Sequence, residues 1–185
     1  MISIRKYKEK DRENLFKICV ATSGLPTETK KDLDFLNLMF NDYYAVVEGD
    51  NCFVAADDND EAVGYILCAE NFDRYYKTFK GLYMPHIKKL GFKYYFMAFS
   101  EIKVHSLFKN KYPAHLHIDI MPVCQGKGTG TALMNELKDH LKEKGINSVM
   151  LSCGMGNKKA IKFYEKNDFR KIANIAGSCI MVSEF

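Results

Sequence analysis

One segment, HLHIDIMPVCQGKGTGT at His115–Thr131, limits the possible folds of the chain more than any other. It has the pattern of an apolar strand, a proline-broken exit and a glycine-rich turn, followed directly by an amphipathic helix at Ala132–Lys144. Consecutive backbone N–H groups at a helix N-terminus, together with the positive end of the helix dipole, form an anion site. Gly126, Gly128 and Gly130 lack Cβ atoms, so a phosphate can approach the main chain closely. The segment therefore predicts recognition of a phosphate or pyrophosphate.

The spacing of the glycines excludes two common phosphate loops. The pattern G-x-x-x-x-G-K-[ST] is absent, and G-x-G-x-x-G fails because Thr131 stands where the third glycine is required. The pattern that fits is Q-x-x-G-x-G, formed by Gln125, Gly128 and Gly130. Lys127 adds a mobile positive charge beside the loop.

Three further features follow the loop in order. They are a second apolar strand at Ile146–Cys153, Asn157, and Tyr164 seven residues later, within the closing sequence NKKAIKFYEKNDF. In this order and spacing they resemble the GNAT superfamily of acyl-CoA-dependent N-acyltransferases, and the resemblance is best over Leu116–Ile172. It implies an α/β fold with a single mixed, largely antiparallel sheet flanked by helices.

The resemblance also implies a binding site for acetyl-CoA, which would leave as CoA. The loop amides would bind its pyrophosphate, with Lys127 adding charge and Gln125 shaping the turn. The main chain of the preceding strand would hydrogen-bond the pantetheine arm as an added strand does. The cofactor-binding residues expected on this basis are Ile118, Asp119, Ile120, Gln125, Gly126, Lys127, Gly128, Thr129, Gly130, Thr131 and Asn157.

Tyr164 is the candidate proton donor to the departing thiolate. A phenol with a pKa near 10 can protonate a thiolate as the tetrahedral intermediate collapses, and the family has a tyrosine at this place for that role. The alternative is a core tyrosine packed by Phe163 and Phe169. Asn157 has two compatible roles, as a ligand of the cofactor arm or as the cap of the helix that begins at Lys158.

The general base is less well defined by the sequence. Many relatives carry a glutamate on the strand before the last helix, but here that region reads LSC, and Ala114-His115 stands where others have one. Asp119 is the carboxylate of the cofactor strand, and it is therefore the candidate base, acting through a water. His115 or His117, each a possible partner of Asp119, is an alternative. A third possibility is that the reaction needs no dedicated base.

The rest of the chain predicts one domain, 1–185, with the element order βααββ(αα)βαβαββ. The first helix opens at Lys10-Asp11 and ends at Gly24-Leu25-Pro26, the second covers Thr27–Tyr44, and the last covers Lys158–Asn167. The strands are expected at Ile2–Tyr7, Cys52–Ala56, Ala62–Cys68, from His115 to Met121-Pro122, and at Ile146–Cys153, Phe169–Ile172 and Gly177–Val182.

The stretch 72–112, between the third and fourth strands, is rich in aromatic residues. The chain has 13 Phe and 11 Tyr, and half of these 24 fall here. Two helices, Arg74–Leu90 and Tyr94–Lys109, are predicted. Together with YPAHLHID at 112–119, this stretch is similar to bacterial acetyltransferases that resemble the acetyltransferase-like domain of O-GlcNAcase. As a helical insertion it would wall the acceptor pocket, form a dimer surface or extend the core.

Composition narrows the possible partners. A net charge of +4 spread over scattered lysines argues against nucleic-acid binding. The six cysteines lack metal-ligand spacing, and the acids of Asp57–Glu61 fit a solvated turn, so no metal site is expected. No apolar run approaches the length of a membrane span, which predicts a cytoplasmic protein with reduced thiols and no membrane association.

The function expected from these features is acetyl-CoA-dependent N-acetyltransfer. The acceptor would be a primary amine of a small molecule, peptide or protein, and the enzyme a monomer or homodimer. Two alternatives remain open: a catalytically inactive acyl-CoA-binding protein, and a protein-interaction module that uses the aromatic stretch.

Overall fold

A computed structural model of the protein describes residues 2–185. Seven strands form one sheet in the order β1-β2-β3-β4-β5-β7-β6. Neighbouring strands are antiparallel except β4 and β5, which are parallel. The mixed, largely antiparallel sheet expected from the sequence is therefore confirmed. The strands β1 to β7 are Ser3–Lys6, Phe53–Ala56, Ala62–Ala69, Ala114–Ile120, Ser148–Gly154, Arg170–Ile175 and Ser178–Glu184.

The helices occur in the predicted order, with differences at their ends. Within residues 2–185, α1 to α8 are Arg12–Thr22, Lys30–Asn37, Tyr43–Val47, Phe72–Thr78, Met84–Leu90, Phe92–Ser106, Thr129–Glu143 and Lys158–Glu165.

Two of the predicted helices are broken by π-helical turns. The helix expected at 27–44 begins at Lys30 and contains a π turn at Leu38–Asp42 before α3. The helix expected at 74–90 contains a second π turn at Phe79–Tyr83. Pro85 does not end that helix, because it lies in the first turn of α5, where the missing N–H would have no partner.

Alternate residues of β4 face opposite sides of the sheet, as expected of a strand. Leu116 is part of the core formed with α7, together with Leu133 and Leu137. On the opposite side, His115 packs against Tyr44 and Tyr75 from the other set of helices. Both faces of β4 are thus covered, and the strand lies at the centre of the molecule.

The aromatic stretch extends the core on the His115 side of the sheet. Buried side chains from α4 to α6, including Phe72, Tyr75 and Phe79, join the cluster formed by α1, α2 and β3. One face of α6 carries exposed Phe92, Phe96 and Phe99. These observations favour the core-extending interpretation, and a role as a dimer surface stays a prediction.

The structure can be compared with the sequence for cysteine pairing, metal-ligand groups and membrane-spanning helices. All six cysteines are free thiols, and four of them are buried. No group of three or more His, Cys, Asp or Glu residues within 2–185 has the arrangement of a metal site. None of the helices described is both long and apolar enough to cross a membrane.

A buried carboxylate attaches the aromatic stretch to the rest of the chain. Glu48, just after α3, is buried and accepts hydrogen bonds from Tyr43 Oη at 3.1 Å and Asn51 Nδ2 at 2.8 Å. Arg74 of α4 forms a salt bridge with the same carboxylate, with 2.6 Å between its Nη2 and Glu48 Oε2.

We expect Arg74→Met to lower the free energy of unfolding by about 2 kcal/mol, because it removes a charged donor from a buried carboxylate. Urea unfolding measures the loss. Lys17→Met is the matched control: it breaks the exposed Lys17–Glu13 pair and should cost less than about 0.5 kcal/mol. Equal losses in the two variants would contradict the role assigned to Glu48.

Candidate active site

The site lies where β4 and β5 separate. The two strands pair only at Ala114↔Val149 and His115↔Met150. Beyond His115, β4 remains paired with β3 on its other edge, from Leu116 to Ile120. The edge of this part of β4 that faces β5 therefore has no strand partner. Apart from the Ile120 carbonyl oxygen, which the side chain of Gln125 binds, its main-chain groups are open to a ligand.

A cavity of about 580 Å³ lies at this separation. Its walls come from α1, β4, the glycine loop, β5 and α8. The lining residues are Thr22, Ile118, Asp119, Ile120, Gln125, Gly126, Gly128, Gly130, Thr131, Cys153, Asn157, Lys159, Ala160, Lys162, Phe163, Tyr164 and Lys166.

The glycine loop has the conformation that its sequence predicts. Gly126 and Gly128 have φ angles of 78° and 81°, which are unfavourable for residues with a Cβ. Gly128 is the N-cap of α7, so the unpaired amides of the first turn follow it directly. Gln125 closes the loop through a 2.9 Å hydrogen bond from its Nε2 to the carbonyl oxygen of Ile120. This bond ties the start of the loop to the end of β4.

Gly130 is required for a different reason, which is close packing. A Cβ at this position would lie 2.8 Å from Phe163 Cε2 and 3.1 Å from Ile120 Cδ1. Such contacts are far shorter than the van der Waals distance between carbon atoms. The absence of a side chain thus lets α8 and β4 close against the first turn of α7.

The structure brings together most of the predicted site residues. Two of them, Lys127 and Thr129, line instead a separate cavity of about 570 Å³ beside Ile2 and Ile4. Their backbone amides still belong to the loop, so their predicted part in binding rests on the main chain. The predicted residues that line the cavity at the strand separation are Ile118, Asp119, Ile120, Gln125, Gly126, Gly128, Gly130, Thr131, Asn157 and Tyr164.

Asp119 has an unusual environment. Burial raises its pKa from 3.8 to about 6, although hydrogen bonds from the side chains of Tyr65 and Thr22 act in the opposite direction. The bond from Tyr65 Oη to Asp119 Oδ2 is 2.6 Å long. A carboxyl group with this pKa is mostly ionised at pH 7 and is basic enough to accept a proton.

The two histidines of β4 are not partners of Asp119. Both hydrogen-bond to the hydroxyl of Tyr44, at 3.1 Å from His115 Nε2 and 3.0 Å from His117 Nε2. Burial lowers the pKa of His117 to about 3 and lowers that of His115 as well, so both are neutral. Neither side chain lines the cavity. The expected pairing with Asp119 is wrong, because Tyr65 on the neighbouring strand occupies that carboxylate.

Tyr164 lies in α8, and Asn157 directly precedes this helix. The Tyr164 side chain is mostly buried, yet it forms part of the cavity wall, and its hydroxyl has no hydrogen-bond partner within residues 2–185. Burial and the nearby Asp119 raise its pKa, so the phenol keeps its proton. Asn157 caps α8, with its Oδ1 accepting a 3.0 Å bond from Ala160 N. The capping role predicted for it is confirmed.

Sequence reasoning missed several residues of the site. Tyr65 carries no local signal, because its contact with Asp119 depends on the β3–β4 register. Lys159, Lys162 and Lys166 also line the cavity, and their spacing along a predicted helix does place them on neighbouring positions of one face. That signal was available in the sequence.

Comparisons with known proteins agree on one family. The model of the acetyltransferase (GNAT) family matches residues 22–169. An N-acetyltransferase of Methanocaldococcus jannaschii is 37% identical over 70 residues, which are 37% of this chain and 31% of that protein. The chain thus spans about a third of the length of this relative.

Solved structures extend the similarity to the whole chain. The crystal structure of SsHAT has a TM-score of 0.89 and 26% identity, covering 99% of this chain and 98% of that one. The PaiA N-acetyltransferase of Thermoplasma acidophilum, solved in complex with coenzyme A, has a TM-score of 0.66 and 17% identity, covering 100% and 99%. The second similarity concerns the fold alone.

We expect Tyr65→Phe to raise the pKa of Asp119 by about one unit, because it removes a hydrogen bond that favours the ionised carboxylate. The carboxyl ¹³C shift of Asp119, followed by NMR against pH, measures the change. Tyr94→Phe is the control, since Tyr94 Oη donates to a different carboxylate, Asp32, at 2.8 Å. An unchanged Asp119 titration in Tyr65→Phe would contradict this account.

Proposed function

The chain belongs to the acetyltransferase (GNAT) family, and from this premise we propose that it transfers the acetyl group of acetyl-CoA to a primary amine. The observation that carries the proposal is the separation of β4 from β5 directly beside a glycine loop at the N-terminus of α7. This arrangement offers an unpaired strand edge and a set of amides, which match the amide-rich arm and the pyrophosphate of CoA.

In this proposal the cofactor lies along the cavity in a fixed direction. Its pyrophosphate binds the amides from Gly126 to Thr131, and its pantetheine arm follows the main chain of Ile118 to Ile120. The thioester then reaches the part of the cavity lined by Asp119 and Tyr164. Asn157 stands beside the arm at the start of α8, and its side-chain NH₂ group remains available to it.

The reaction assigned to this site is direct attack of the amine on the thioester. The amine nitrogen bonds to the carbonyl carbon, and the bond from that carbon to sulfur breaks as the intermediate collapses. Asp119 accepts a proton from the amine through a water, and Tyr164 donates its proton to the departing sulfur. The pKa of Asp119, about 6, and the neutral phenol suit these two roles.

The structure also bears on the other candidates for the base. His115 and His117 are buried, neutral and bonded to Tyr44, so they have no route to the amine. Asp119 is the one carboxylate among the residues that line the cavity. Its position therefore supports the proposal that it is the base. The acceptor is proposed at the level of a primary amine, and a cytoplasmic monomer or homodimer remains the expectation.

Gly128→Glu tests the phosphate site. A carboxylate in the loop would repel the pyrophosphate, and we expect calorimetric titration with acetyl-CoA to show a loss in affinity of at least about a hundredfold. Gly145→Glu is the matched control, because Gly145 has a similar φ of 73°, equal space for a side chain and no place in the cavity. Equal affinities in the two variants, or no binding by the wild type, would contradict the proposal.

Tyr164→Phe tests the proton donor. With the best acceptor from a panel of primary amines, we expect kcat to fall about a hundredfold while the KM for acetyl-CoA changes little, because the phenol acts in the transition state. CoA release measured with a thiol reagent gives both constants. Tyr94→Phe, at a position that does not line the cavity, should match the wild type. Wild-type kcat in Tyr164→Phe would rule out this role.

A further inference from the structure

One wall of the cavity carries a row of positive charge that the proposed reaction does not use. Lys159, Lys162 and Lys166 all line the cavity, and all three side chains are exposed. None of them forms a salt bridge with the carboxylates of residues 2–185, whereas eight other lysines do. These three charges therefore remain available to an anion in the cavity.

The row is too long for one pyrophosphate. Positions 159 and 166 are separated by about 10 Å along a helix, or two turns, and position 162 lies between them. Lys159 lies beside the glycine loop, because its Nζ donates a 2.6 Å hydrogen bond to Gln125 Oε1. The other two lysines lie one and two turns further along the helix. An anion on the loop amides therefore leaves Lys162 and Lys166 free for a second anion.

The position of the row relative to the loop is fixed by packing. Phe163 lies between Lys162 and Lys166 in sequence. Its ring packs closely against Gly130 in the first turn of α7, where a Cβ would lie 2.8 Å from Phe163 Cε2. Since α8 cannot move away without opening this contact, Lys162 and Lys166 keep their place on the wall of the same cavity that the loop lines. The second anion must then belong to the same ligand or lie close to it.

We propose that Lys162 and Lys166 bind the 3′-phosphate of coenzyme A and make the protein selective for CoA over 3′-dephospho-CoA. The inference rests on the proposed function, since it takes CoA as the ligand of the cavity. A phosphomonoester carries nearly two negative charges at neutral pH and accepts hydrogen bonds on three oxygens. Two flexible ammonium groups, each with three donors, fit such a group in an exposed position.

The test compares two ligands and two double variants by calorimetric titration. The wild type should bind CoA about tenfold more tightly than 3′-dephospho-CoA, as expected for two exposed, charge-assisted contacts. In Lys162→Gln/Lys166→Gln the affinity for CoA should fall about tenfold, while that for 3′-dephospho-CoA changes little. Lys158→Gln/Lys171→Gln removes the same charge from exposed positions outside the cavity and should keep the wild-type preference.

Three results would overturn the inference, and they differ in what else they contradict. Equal, tight binding of both ligands by the wild type would exclude a 3′-phosphate site and leave the proposed function standing. An equal loss for both ligands in Lys162→Gln/Lys166→Gln would assign the lysines to the pyrophosphate instead. If the wild type binds neither ligand, the inference and the proposed function both fail.

Discussion

The separation of β4 from β5 after His115 is the structural constraint on which the rest of the site depends. A strand that loses one neighbour inside a sheet leaves unsatisfied N–H and C=O groups, which are costly unless a ligand or water binds them. Here β3 stays paired with the other edge of β4 as far as Ile120, so β4 remains part of the sheet where the gap opens. The loop that follows Ile120 is tied to the end of β4 by Gln125, and α7 starts at the mouth of the same gap.

The two faces of β4 carry different kinds of side chain. The face toward α7 is apolar, and together with Gly130 and Phe163 it sets the distance between the loop and the last helix. The opposite face carries His115, His117 and Asp119, and the environments of these three side chains differ. The histidines are kept neutral by burial and share the Tyr44 hydroxyl, whereas Asp119 lies at the cavity with a pKa of about 6. Burial thus keeps the two histidines uncharged and raises the pKa of Asp119.

Local patterns in the sequence were sufficient to predict much of the fold and part of the candidate site. The glycine loop, the order of strands and helices, and the cap at Asn157 all follow from residue spacing over short segments, and the structure contains each of them. The π turns within the second helix and the aromatic stretch were not predicted. Both lie inside segments whose apolar residues were interpreted as one continuous helix.

Contacts between segments that are distant in the chain could not be predicted from the sequence. The partner of Asp119 depended on strand register, and Tyr65 lies 54 residues away in the chain. Which cavity Lys127 and Thr129 line depends on how the loop turns, and the glycine spacing alone does not determine that. Lys159, Lys162 and Lys166 show the opposite case. Their spacing was visible in the sequence, but their place on the cavity wall depends on the packing of Phe163 against Gly130.

A crystal structure of the protein with bound CoA tests the central claim most directly. The account predicts that the pantetheine arm hydrogen-bonds the main chain of Ile118 to Ile120 in the gap between β4 and β5, with the pyrophosphate on the amides from Gly126 to Thr131. A structure in which CoA binds elsewhere, or in which β5 closes on β4 and fills the gap, would contradict it.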